Sequence, residues 1–247
     1  MILTVNVGNT NTKICLFQGR RLVVHHVVAT RELLQRPARV VPSGWRITGA
    51  AVASVVPQAT SSCLQQIRAR TGLRPFLVNR RTRTGLDIRY DRNQLGADRI
   101  CVAVGARVRF PGDLVVIDFG TAVTVNVVTR EGVFLGGPIL PGQGLMLRSL
   151  GQGTARLPRL RARPVTRLLA SRTEDAVQAG TFQLLCLGLE AMIRPIEQQA
   201  GRRFTVIATG GQARKMRQHI PSIVRVEPDL VARGLLELYF LNRQTEA

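Results

Sequence analysis

One short pattern occurs twice in this chain. Val5-Asn6-Val7-Gly8-Asn9-Thr10-Asn11-Thr12 aligns with Ile117-Asp118-Phe119-Gly120-Thr121-Ala122-Val123-Thr124, glycine on glycine and threonine on threonine, at one common offset. The surroundings repeat as well. Ile2 to Val7, Lys13 to Phe17 and Leu22 to Val28 read as three apolar strands separated by polar turns. Leu114 to Asp118, Val123 to Val128 and Val133 to Leu135 read the same way. A short match can arise by chance. Its coincidence with two matching strand meanders points to a duplicated fold, with one half over 1–112 and the other over 113–247.

The segments between the meanders alternate helix and strand. Ala50 to Val56 reads as a buried strand and Pro75 to Val78 as a short one. Thr60 to Arg70 carries Cys63, Leu64 and Ile67 at helical spacing, and Leu95 to Val108 has a helical pattern with Asp98 in its first turns. Residues 136–142 read as a glycine- and proline-rich loop leading to a helix near Leu145 to Leu150. Arg156 to Arg172, basic and broken by Pro158 and Pro164, reads as a surface loop. Thr173 to Gln199 predicts one long helix, with Gly180, Gly188 and Pro195 as bending points. Thr205 to Ala208 and Val224 to Val226 are strands, and Leu230 to Leu241 is a last helix.

A glycine directly after a buried strand lets the backbone approach a ligand closely. The N–H groups of the next residues can hold phosphate oxygens, and Ser or Thr hydroxyls add donors. One such turn is an ordinary hairpin. Two in symmetric positions can grip a polyphosphate and its magnesium from both sides, which is the logic of the acetate and sugar kinase, Hsp70 and actin superfamily. Phosphoryl transfer to an alcohol also needs a group to take the hydroxyl proton. Acidic residues number only 15, and Asp98, in Leu95-Gly96-Ala97-Asp98-Arg99, stands out among them. Asp98 equally fits simple stabilisation of a helix N-terminus, and at this level both readings stand open.

Composition excludes other classes. Hydrophobic residues make up 45% of the chain, enough for a buried core. No apolar run reaches the roughly 18 residues that span a bilayer, and Met1 to Val5 lacks the basic flank of a signal peptide; a cytoplasmic protein is expected. Cys15, Cys63, Cys101 and Cys186 form no C-x-x-C pair and lie in apolar segments, so reduced core thiols are expected rather than zinc ligands. The net charge of +20 would suit a nucleic-acid binder. However, the arginines are spread along the chain, aromatic residues are only 4%, and lysine is limited to Lys13 and Lys215. Nonspecific polyanion binding at low salt is expected whatever the function.

The motifs taken in series resemble the type III pantothenate kinases along nearly the whole chain. They are Gly8-Asn9-Thr10-Asn11-Thr12-Lys13, Gly96-Ala97-Asp98-Arg99, Asp118-Phe119-Gly120-Thr121-Ala122 and Gly136-Gly137-x-Ile139-x-Pro141-Gly142. Leu157-Pro158, Thr173-x-x-Ala176-x-x-x-Gly180, Thr209-Gly210-Gly211 and Asp229-Leu230-x-x-x-Gly234-Leu235…Tyr239-x-x-Asn242 follow in order. The resemblance implies an α/β, duplicated actin-like (ribonuclease H-like) two-lobed kinase fold of mixed sheets flanked by helices. It implies ATP-dependent phosphorylation of pantothenate, the first step of coenzyme A synthesis, with magnesium and a monovalent cation, potassium or ammonium.

It also implies residue roles. Asp98 would be the general base, with Tyr90, Gly96, Ala97 and Arg99 lining the pantothenate pocket. Asn6, Gly8, Asn9, Thr10, Lys13, Gly120 and Thr121 would lie at the ATP phosphates, and Gly210 and Gly211 at the adenosine. Asp118 would hold the monovalent cation. Thr173 would reach the pantothenate of the other subunit of a homodimer. Two departures stand out. Asn6 replaces an acidic residue that helps hold magnesium in the family. The segment between Tyr90 and Gly96 is one residue short and carries Asn93-Gln94 where a proline is usual, which bears on where Tyr90 sits. Asn6 leaves an alternative reading, a weak or inactive homologue with a regulatory or accessory role.

Overall fold

A computed structural model describes residues 1–243. In chain order the elements are β1 (Ile2–Val7), β2 (Asn11–Gln18), β3 (Arg21–Ala29), α1 (Thr30–Gln35), β4 (Gly49–Ser54), α2 (Pro57–Thr71), β5 (Phe76–Leu77), β6 (Asp87–Ile88) and α3 (Ala97–Arg109). They continue with β7 (Leu114–Phe119), β8 (Ala122–Val128), β9 (Val133–Gly136), β10 (Ile139–Pro141), α4 (Gln143–Gly153) and α5 (Thr173–Ala200). Last come β11 (Thr205–Thr209), α6 (Ala213–Met216), β12 (Ile223–Val226) and α7 (Leu230–Arg243). By their contacts the residues group into two compact units. Among the described residues the first holds 1–111, 128–136 and 229–243; the second holds 112–127 and 137–228.

In the first unit a mixed sheet runs β3-β2-β1-β4-β5. β1 pairs antiparallel with β2 and parallel with β4. One face of β1 and β2 buries Leu3, Val5, Val7, Ile14 and Leu16, which pack with Ala59, Cys63 and Ile67 of α2. The alternation follows from the two-residue period of a strand. α3 and α7 lie backbone against backbone. A Cβ on Gly105 would fall 3.0 Å from Gly234 N, and one on Gly234 would fall 2.8 Å from Gly105 N. Only glycine at both positions allows that approach.

In the second unit the order β8-β7-β11-β12 repeats β2-β1-β4-β5, with β11 parallel to both β7 and β12. The duplication read from the sequence is therefore present in the topology. Val115, Ile117 and Phe119 of β7 pack with Phe182, Leu185, Cys186 and Leu189 of α5. Residues 136–142 are not all loop: Ile139–Pro141 forms β10, antiparallel to β8. Proline at its end fits an edge strand, which needs no donor on its outer side. α5 runs unbroken through Gly180, Gly188 and Pro195, because its inner face is fixed in the core. Among the described residues it is the one helix long and apolar enough to cross a membrane, but Phe182, Leu185, Cys186 and Leu189 are core residues of the unit. All four cysteines are buried and free, and burial pushes the thiols of Cys15 and Cys63 up to about 12.

Candidate active site

The first glycine turn sits where β1 reverses into β2. Gly8 N–H donates to Asn11 O at 3.1 Å. A Cβ on Gly8 would lie 2.9 Å from that same oxygen, so the turn closes only around glycine. Asn9 and Thr10 are exposed at its tip, while Thr12 is fully buried beneath it. Asn6 lies directly across from Lys13 in the β1–β2 ladder, and both are half-buried. Directly opposed residues of antiparallel strands share a face, so the lysine is the cross-strand neighbour of the amide.

Asp98 stands in the first turn of α3. Gly96 precedes the helix in extended conformation, and its carbonyl accepts the Ile100 N–H at 3.2 Å. The Asp98 carboxylate folds back over the helix start, where Oδ1 accepts the Arg99 N–H at 2.8 Å. A Cβ at Gly96 would lie 2.6 Å from Asp98 Oδ1, so a larger residue there would displace the carboxylate from this position. Burial raises the Asp98 pKa above its ordinary value; the Arg99 N–H and the Arg99 charge pull the other way. A carboxylate with a raised pKa is a stronger base at neutral pH than a solvated one.

Arg99 is only 4% exposed, and its guanidinium lies 5.3 Å from the Tyr90 ring centroid and 5.6 Å from that of Phe134. The two rings meet edge to face at 6.3 Å. Such stacking recovers part of what the buried cation loses in hydration. Tyr90 packs over Gly136, whose φ is +90° and where a Cβ would come within 2.8 Å of the ring. The short segment after Tyr90 is closed by an Asx turn: Asp91 Oδ1 accepts the Asn93 N–H at 2.9 Å, and Gln94 N–H donates to Asp91 O at 3.1 Å. Asp91 thus supplies the turn, and the Asn93 backbone and side-chain N–H groups both donate to its carboxylate. Tyr90 is brought against Arg99 despite the shorter chain.

In the second unit Asp118, the penultimate residue of β7, is half-buried and level with Thr209 of β11. Gly210 follows with φ +93°, and any Cβ there would strike Asp118 Oδ1 and the Phe119 backbone. Gly211 faces open space. The second glycine turn is held from the other side: Gly142 N–H donates to Thr121 O at 3.0 Å, and a Cβ on Gly142 would lie 2.7 Å from that oxygen. Asp118, Gly120, Thr121 and Gly210 are therefore one tight backbone cluster. Thr173 is the first residue of α5 and is exposed. It is not part of that cluster.

A family model for type III pantothenate kinase matches residues 2–195. The chain belongs to the type III pantothenate kinases. Curated type III pantothenate kinases align over its full length. That of Caulobacter vibrioides is 34% identical over 100% of both chains, and that of Hyphomonas neptunium 34% identical over 98% of this chain and 100% of its own. Among solved structures, a Baf family protein from Campylobacter jejuni superposes with TM-score 0.63 at 18% identity, over 98% of this chain and 99% of its own. A ROK family glucokinase from Streptomyces griseus gives 0.51 at 15%, over 98% and 99%. Both likenesses speak for the actin-like kinase fold. In this pantothenate kinase the residues that sequence reasoning missed are Thr30, which bonds to the first turn, and Phe134, which completes the Arg99 pocket. Thr30 has a faint signal, a threonine between the third strand and a Leu33-Leu34 pair. Phe134 has none, since only the fold brings it to Tyr90.

Proposed function

We propose that this chain transfers the γ-phosphoryl group of ATP to the hydroxyl of pantothenate, giving 4′-phosphopantothenate at the first step of coenzyme A synthesis. The observation that carries the reading is the Asp98 carboxylate, half-buried with a raised pKa at the mouth of α3, beside the buried Arg99 under Tyr90. Asp98 takes the proton as the hydroxyl oxygen attacks phosphorus. Arg99, Tyr90, Gly96 and Ala97 orient pantothenate. Gly8, Asn9, Thr10, Lys13, Gly120 and Thr121 hold phosphate oxygens through N–H groups, hydroxyls and charge. The open space at Gly211 and the bare backbone of Gly210 support an adenosine contact.

The donors present fit the implied cations. Asp118 offers a half-buried hard carboxylate, which suits potassium or ammonium. Asn6 offers one amide oxygen to magnesium. Among the described residues no three Asp, Glu, His or Cys side chains converge, so the other magnesium ligands would be nucleotide phosphate oxygens and waters. Bound there, magnesium would offset phosphate charge. Exposed Leu184 and Leu187 on α5 support a homodimer, in which Thr173 would reach the partner's pantothenate. The test is coupled ATP turnover with pantothenate, with and without potassium, in wild type and Asp98→Asn. We expect phosphopantothenate from wild type and a kcat lower by about a thousandfold in the variant. A variant within tenfold of wild type would remove Asp98 from its role.

A further inference from the structure

The first glycine turn is fixed by a residue outside its own motif. We propose that Thr30 is a positioning residue for ATP, holding the Gly8–Thr12 turn in the shape that receives the phosphates. Thr30 opens α1 and is 3% exposed. Its N–H donates to Thr10 O at 2.9 Å, and its hydroxyl donates to Gly8 O at 2.6 Å. The Thr30 hydroxyl oxygen also lies 3.1 Å from Thr12 Oγ1. A hydroxyl has one proton and a carbonyl oxygen can only accept, so the Thr30 proton goes to Gly8 and Thr12 must donate to Thr30. The result is a proton-ordered chain, Thr12 to Thr30 to the Gly8 carbonyl, in which each bond polarises the next. Two turn carbonyls that would repel phosphate oxygens, those of Gly8 and Thr10, are both tied into the protein.

The second unit has the same restraint made differently. Gly142, at the start of the helix that follows the second meander, donates its N–H to Thr121 O, and a Cβ there would lie 2.9 Å from Gly120 O. In both copies the helix after the meander begins by gripping the glycine turn. One copy uses a threonine hydroxyl and the other a bare backbone. That recurrence with different residues is what a need for a rigid turn would leave behind.

The inference rests on the reading of this turn as a phosphate site, so Gly8→Ala serves as the control. KM for ATP, KM for pantothenate, kcat and the melting temperature are measured for wild type, Gly8→Ala, Thr30→Val, Thr30→Ala and Thr30→Ser. Thr30→Val keeps the shape without the hydroxyl, and the Ser and Ala variants differ by that hydroxyl alone. We expect KM for ATP to rise at least tenfold in the Val and Ala variants, KM for pantothenate to stay within twofold, and Thr30→Ser to stay within threefold of wild type throughout. If Gly8→Ala weakens ATP binding while Thr30→Val and Thr30→Ala do not, the positioning role is overturned and the phosphate site stands. If Gly8→Ala leaves KM for ATP unchanged, the phosphate-site reading itself fails. A Ser variant as impaired as Ala, or a loss spread equally over both substrates, assigns Thr30 to stability alone.

Discussion

Asp98 feels burial in one direction and Arg99 in the other, and burial is the larger. Folding therefore raises its pKa, so the folded chain holds that proton more readily than the unfolded one. The stabilising contribution is complete below the ordinary value of 3.8 and is lost as pH rises through the raised value. At pH 7 the charged carboxylate destabilises the fold, and Asp98→Asn should melt at or above wild type there while losing activity. The two melting curves should converge as pH falls toward 3.8. The acid limb of kcat for wild type should likewise lie above 3.8. Asn6 raises a different electrostatic question. Its cross-strand partner Lys13 would face a new carboxylate in Asn6→Asp, an opposed pair stabilising by about 0.2–1 kcal/mol. The added charge should also lower the magnesium needed for half-maximal rate several-fold and raise turnover. A magnesium titration of both proteins at saturating ATP and pantothenate checks this; equal curves would show that the amide is no lesion.

Residues 154–172 carry no helix or strand, yet part of the segment is tied down. Gln178 of α5 is 2% exposed; its amide donates to Arg161 O at 2.7 Å, and its oxygen accepts the Arg163 N–H at 3.4 Å. An amide facing a C=O and the N–H two residues on imitates a neighbouring strand. Gln143 adds a bond to Arg163 O at 3.0 Å, and Gln183 one to Val165 O at 2.8 Å. Gln178→Ala would remove the partner of the part-buried Arg161 carbonyl and Arg163 N–H, at a cost of about 1 kcal/mol. Because the strap is rich in arginine, trypsin reports its release. We expect cleavage within 156–172 to accelerate at least tenfold in the variant, with peptide mapping as the readout. Unchanged cleavage would mean that the glutamines follow the segment rather than hold it.

At the scale of the molecule, α5 has more apolar surface than its unit covers. Leu185 and Leu189 are buried, whereas Leu184 and Leu187 are 67% and 59% exposed. Those two, on one side of a long helix, support a two-fold partner. Wild type should sediment as a dimer at micromolar concentration, and the pair Leu184→Glu with Leu187→Glu as a monomer with a raised KM for pantothenate. A monomeric wild type would overturn the dimer and with it the reach of Thr173 to a partner's substrate. The net charge of +20 belongs to this scale too. It is spread over both units rather than gathered at either glycine turn.

The sequence by itself determined the duplicated strand meanders, the long helix from Thr173 and the glycine turns, because these depend on near neighbours. Side-chain period and glycine's freedom at a reversal are written within a few residues. The Gly96-Ala97-Asp98-Arg99 motif was legible for the same reason, and Asp98 indeed lies in the first turn of α3. β10 was not legible, since Pro138 and Pro141 read as loop until a neighbouring strand supplies the pairing. Only the tertiary structure decided that Tyr90 and Phe134 meet over Arg99, that Thr30 grips Gly8, and that Gln178 stands in for a strand. Each of these joins residues distant in the chain. Their burial and hydrogen bonds have no local signature, because the free energy that fixes them comes from desolvation and packing against partners that only the completed fold supplies.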